Sequence, residues 1–197
     1  MKPSSLIIAV LFTGLIVSGQ TALEYYNIGL VKYNLKNYPG AIADLDKALK
    51  INSEYSAAYN LRGGAKYKTG DFEGAIADYT KAIKYDPKLS VSAKFSISES
   101  RGNITGLEKV LDIDPKYAYT YFNRGLARQA IGDYNGAAED YSKAIEIDPG
   151  LTEAYYNRGF SRYKMYDLYG ACEDWMKAVD LGHRGAREAI LEYCRYS

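Results

Sequence analysis

Arg62, Arg124 and Arg158 each have an aspartate sixteen residues further on, Asp78, Asp140 and Asp174. A guanidinium set against a carboxylate at a repeated interval has two uses: a charge pair across two packed helices, which is the reading adopted, or a row of arginines that binds an anion. Cys172 lies about ten residues before Gly182 and Cys194 about twelve after it. Two antiparallel helices joined at that glycine would bring the thiols side by side, within the roughly 4.4 to 6.8 Å between Cα atoms that a bridge requires. An oxidising compartment would yield a disulfide and a reducing one two buried thiols. The single histidine, His183, stands alone in the same turn, so no metal site is expected. No nucleophile is spaced with a histidine base, and no glycine-rich phosphate loop follows a strand. No catalytic residue, cofactor or small-molecule substrate is therefore expected, and the chain is read as a non-enzyme.

These residues recur because the chain does. GDFEGAIADYTKAIKYDP (70–87) returns as GDYNGAAEDYSKAIEIDP (132–149), and the marker glycines Gly29 and Gly63, like Gly125 and Gly159, are set at a spacing of 34. Alanines follow each marker at twelve and at nineteen positions: Ala41 and Ala48, Ala75 and Ala82, Ala137 and Ala144, Ala171 and Ala178. Small side chains let two helices approach to roughly 8 Å, so these positions mark a helix contact line that a larger side chain would overpack. The middle interval, from Gly63 to Gly125, falls six short of two periods. That points to a shortened third unit, with SVSAKFSISES in place of a first helix. It is read as degraded but stacked, because an interior unit that leaves the stack loses both neighbours; a hinge between two pairs of regular units is the alternative.

With its period, its glycine and alanine offsets and its closing Asp-Pro, the pattern resembles the tetratricopeptide repeat family, two antiparallel helices per unit. The resemblance implies an all-α, right-handed superhelix of five helix-turn-helix units. These are 22–55, 56–89, a degenerate 90–117, 118–151 and 152–185, closed by a capping helix over 184–196. Asn37, Asp71, Asp133 and Asp167 precede second helices as N-caps, Gly70 ends a first helix in the left-handed conformation, and Pro87 stops a second helix near Tyr85. Trp175 falls in the core register of Tyr79 and Tyr141.

The resemblance also implies a concave groove lined by the first helices. Carried over position by position, the groove residues are Tyr26, Leu30 and Tyr33; Asn60, Gly64 and Tyr67; Phe122, Leu126 and Gln129; and Tyr156, Phe160 and Tyr163. Asn27, Asn123 and Asn157 stand beside them, placed to bond a peptide backbone. Aromatic rings give large contact area at low entropic cost, which favours protein or peptide binding over packing between neighbouring helices. Some relatives grip a partner's terminal carboxylate with lysines and asparagines in this groove. Here Tyr26 and Leu30 occupy those positions in the first unit, so that specificity is not expected.

The chain carries 25 Lys and Arg against 24 Asp and Glu, a balance that lacks the basic field for nucleic acid. Residues 1–19 read as a secretory signal: Lys2, an apolar run over 6–17, then Val17-Ser18-Gly19 as a cleavage site before a domain over 20–197. A dozen apolar residues fall short of the roughly 20 that span a bilayer as a helix. No cysteine follows the site, which argues against a lipoprotein anchor. GACEDWMKAVDLG followed by a cysteine-bearing helix resembles exported repeat proteins of Gram-negative bacteria, and a periplasmic setting is expected. The alternative is a self-associating or membrane-anchored component of an envelope assembly, with 6–17 uncleaved; only then would a membrane be a partner.

Overall fold

The computed structural model describes residues 20–86 and 116–194, and these are all helix and turn. Residues 1–19, the segment 87–115 and residues 195–197 lie outside the described residues. The secretory signal, the body of the irregular unit and the last residues of the expected capping helix fall there.

Four helical hairpins and a closing helix follow in order among the described residues. They are α1 (Ala22–Asn34) with α2 (Tyr38–Ile51), α3 (Ser56–Thr69) with α4 (Phe72–Lys84), α5 (Lys116–Ala130) with α6 (Tyr134–Ile147), α7 (Thr152–Lys164) with α8 (Leu168–Asp180), and α9 (Ala186–Tyr193). Each second helix starts where a short acceptor side chain precedes it. Asn37, Asp71, Asp133 and Asp167 accept from the backbone N–H of Gly40, Gly74, Gly136 and Gly170 at 2.9 to 3.1 Å, which satisfies a donor that the helix start leaves unpaired. Helix α4 ends at Lys84 with Tyr85 as its C-cap, one residue ahead of the Asp86-Pro87 stop.

Within each hairpin the marker glycine faces the residue sixteen further on. A Cβ on Gly29, Gly63, Gly125 or Gly159 would come within 2.9, 3.0, 2.7 or 2.7 Å of Leu45, Tyr79, Tyr141 or Trp175. Ala41, Ala75, Ala137 and Ala171 complete the seam and are fully buried. Trp175 is a core residue, 1% exposed, and its indole N–H donates to the carbonyl of Tyr156 at 3.2 Å. Hairpins then stack: Ala48 and Leu45 meet Ala58 and Ala65, Ala144 meets Ala154 and Leu151, and Ala178 meets Ala186 and Ala189 of the closing helix. First helices also touch in sequence, α1 on α3, α3 on α5 and α5 on α7, which puts them on the inside of the curve. The result is an all-α superhelical stack.

The third unit expected over 90–117 lies almost wholly outside the described residues; among those that are described, α4 packs directly on α5, where Tyr79 and Ala75 of α4 share a cluster with Ala127 of α5. Arg124 there donates to Thr80 Oγ1 at 3.1 Å, as Arg158 donates to Ser142 Oγ at 3.0 Å across the regular junction that follows. The sequence separation is 44 in one case and 16 in the other, a difference of 28. The interval from Gly63 to Gly125 exceeds one ordinary period by that same length.

Candidate functional site

The arginine–aspartate sets are structural. Arg62, Arg124 and Arg158 each donate two bonds, from Nε and Nη2, to both oxygens of Asp78, Asp140 and Asp174 at 2.6 to 2.9 Å. The aspartates are 2 to 3% exposed, and fork-to-fork geometry of this kind fixes orientation as well as charge. The third nitrogen, Nη1, reaches back across the junction to Asp46, Thr80 and Ser142, so each guanidinium also bolts its hairpin to the one before. A second cation on each aspartate is not part of the sequence reading: Lys32 on Asp44, Lys66 on Asp78, Arg128 on Asp140 and Arg162 on Asp174. Its signal is a basic residue three positions after every marker glycine. With its donors directed to these partners, the arginine row does not present itself as an anion site.

Cys172 and Cys194 form a disulfide with Cα atoms 5.9 Å apart. The bridge ties the closing helix to α8.

The carried-over groove residues divide by position. Tyr26, Tyr33, Asn60, Gly64 and Asn123 line one open cavity of about 490 Å³ along α1, α3 and α5. Its mouth is built from residues not among the expected groove positions, including Glu54, Tyr55 and Tyr85 at the junctions and Tyr117 in the first turn of α5. Tyr26 and Tyr55 face each other with ring centroids 5.3 Å apart. Burial pushes the Tyr26, Tyr33 and Tyr55 phenols up from their ordinary value, so they are un-ionised donors at neutral pH. Gly64 gives the cavity its depth, since a Cβ there would lie 3.3 Å from the Tyr33 hydroxyl. The Asn60 side-chain oxygen is buried and accepts no hydrogen bond from the described residues.

Other positions are engaged within the stack. Tyr67 packs edge-on to Phe72, with ring centroids 5.4 Å apart, and Phe122 packs on Tyr141 at 5.7 Å. The Gln129 side-chain oxygen accepts from the Tyr141 hydroxyl at 3.0 Å. Tyr156 stacks on His183 at 4.2 Å, and Tyr163 lies 4.5 Å from Tyr193 of the closing helix. Phe160 lies under the Lys164 ammonium at 5.2 Å. Asn157 donates to the carbonyl of Glu153 in its own helix. Leu30 and Leu126 are half-buried, and Asn27 is exposed. Among the expected groove positions, open space thus lies along α1, α3 and α5, while Tyr156 and Tyr163 of α7 are covered by the turn and the closing helix.

The family described as Tetratricopeptide repeat matches residues 22–55 and 56–89, and the one described as TPR repeat matches 130–165; together they span more than half of the chain. No curated protein matches. Among solved structures, MamA is 21% identical with a TM-score of 0.65, covering 84% of this chain and 81% of its own. The first TPR of Spaghetti (RPAP3), bound to the HSP90 peptide SRMEEVD, is 20% identical with a TM-score of 0.54, covering 73% and 94%. The second TPR domain of human RPAP3, in complex with the HSP70 peptide SGPTIEEVD, is 24% identical with a TM-score of 0.52, covering 70% and 92%. At these identities the likeness is one of fold.

Proposed function

Because the chain belongs to the tetratricopeptide repeat family, we propose that it is a protein–protein interaction scaffold that holds an extended peptide or a partner helix in the groove along its first helices. The observation that carries this is the open cavity between α1, α3 and α5, where Tyr26, Tyr33, Asn60 and Asn123 converge from three hairpins. Side chains that serve the stack alone would close over one another, as Tyr163, Trp175 and Tyr193 do at the far end. The two RPAP3 domains hold peptides on the same fold, which supports a peptide as the class of partner.

The setting we propose is the periplasm, after removal of residues 1–19. The Cys172–Cys194 bridge supports it, since such bridges persist in oxidising compartments. Mass measurement of the native protein tests this part: retention of residues 1–19 in a membrane fraction would replace export with anchoring.

The groove is tested by a photo-crosslinking residue placed in living cells at Asn60 or, as a control, at exposed Glu139 of α6. A polypeptide should be trapped at 60 and not at 139, and Gly64→Leu, which fills the cavity beside Tyr33, should abolish the adduct. Adducts at 139 alone, or adducts at 60 that survive Gly64→Leu, would move binding off the groove.

A further inference from the structure

The occupant of the cavity is marked by charge. Cations sit on rings throughout this chain: Arg62 on Tyr59, Arg124 on Tyr121 and Arg158 on Tyr155 at 5.4 to 5.6 Å, and Lys47 on Tyr25 at 5.2 Å. Among the described residues no lysine or arginine sits on Tyr26, Tyr33 or Tyr55 in this way, whereas Tyr85 at the mouth carries Lys84 at 5.2 Å. Among the described residues the cavity wall contains no lysine, arginine or histidine, and its one ionisable carboxylate is Glu54, beside Tyr55 at the mouth. It also contains a buried acceptor, Asn60 Oδ1, that lacks a donor among the described residues, and a buried polar atom left unpaired is costly.

We propose that this cavity receives a basic side chain, arginine or lysine, of the bound polypeptide. Its aliphatic stem lies along the rings of Tyr26 and Tyr55, its cation sits among phenol faces with Glu54 as counter-charge, and its N–H groups supply the donor missing at Asn60. Ring faces attract guanidinium and ammonium groups, more strongly when the site is sheltered from water, and a guanidinium carries five donors and no acceptor. An acidic segment would meet Glu54 in a wall that contains no lysine or arginine among the described residues, Lys84 being engaged on the Tyr85 ring. This inference rests on the groove reading above and adds to it the sign of the ligand.

The test uses the full chain and three synthetic peptides that differ only in a central Arg, Gln or Glu, with affinity read by fluorescence anisotropy. The Arg peptide should bind tightest and the Glu peptide about tenfold or more weaker. Glu54→Gln, a change at an exposed side chain, should weaken the Arg peptide about twofold to fivefold and leave the Gln peptide unchanged. Tyr55→Ala should cost the Arg peptide about tenfold, and Tyr55→Phe, which keeps the ring, should restore it. Equal binding of all three, or preference for Glu, with sensitivity to Gly64→Leu retained, would overturn the basic side chain and leave the groove. Failure of all three to bind, or binding indifferent to Gly64→Leu, would remove the groove reading and this inference with it.

Discussion

Asp44 shows how one residue adapts to the loss of a partner. The first unit has Ile28 where the others have arginine, so Asp44, 4% exposed, is held by Lys32 and Lys47 instead. The hydrogen bond from Lys32 is the largest influence and holds its carboxyl below the usual range; burial opposes it, and Lys47 assists. A carboxyl depressed in the folded state contributes stability that is complete above its unfolded value, near pH 4, and lost as pH falls through the folded value. Asp44→Asn should therefore cost about 1 to 2 kcal/mol at neutral pH. Melting curves of the two proteins should converge as pH drops below about 4; a constant gap would show that the charge is not what stabilises. The arginine–aspartate spacing is legible because both partners recur at one interval. Lys32 and its equivalents are equally periodic, but a basic residue on a helix surface ordinarily means solvent, and only burial of the aspartate distinguishes the two.

The turn inside each hairpin is the element most readable from sequence, and it contains a local conflict. Gly70 and Gly132 turn with φ of 84° and 83°, while the equivalent positions in the first and last hairpins are Lys36 and Tyr166, with φ of 60° and 65°. A side chain in the left-handed region costs roughly 1 to 2 kcal/mol. Tyr166 is 96% exposed, so its ring does little to offset that. Tyr166→Gly should raise stability by about 1 kcal/mol, or roughly 2 to 4 °C in melting temperature for a chain of this size; a fall in Tm would mean that the ring has a contact worth keeping. The caps at Asn37, Asp71, Asp133 and Asp167 are legible for the same reason as the turn, since each acts within three residues of itself. The glycine three positions after each cap is visible in the sequence, but its purpose is not. Its missing Cβ makes room for the cap, as at Gly74, where that atom would fall 2.1 Å from Asp71 Oδ2.

Over the whole molecule, stability comes from nearest-neighbour junctions, and the junction between α4 and α5 is as regular as the others. The interval from Gly63 to Gly125 divides equally well into two clipped periods or into one full period and an insertion, and arithmetic alone does not choose. The packing of Tyr79 with Ala127 and of Arg124 on Thr80 favours the second division. The seam is also written twice in the sequence, as Asp86-Pro87-Lys88 and again as Asp114-Pro115-Lys116, at either end of the inserted stretch. Deleting 88–115 joins Pro87 to Lys116 and restores an unbroken repeat. The shortened protein should keep its helical circular dichroism and melt cooperatively within a few degrees of the parent; collapse of either would mean that the segment is part of the stack. The groove is only partly legible. Its rings on first helices follow the repeat, but Glu54, Tyr55 and Tyr85 belong to the connections and Tyr117 to the first turn of α5, and which rings stay open depends on what the closing helix covers.

At the regular junctions only four residues link one hairpin to the next, 52–55 and 148–151. Between α4 and α5 the sequence has the stretch 85–115 where its siblings have one short turn. That makes the α4–α5 seam a graft point, where a foreign domain whose own termini lie close together could be carried as a passenger. The spiral itself would neither lengthen nor change pitch.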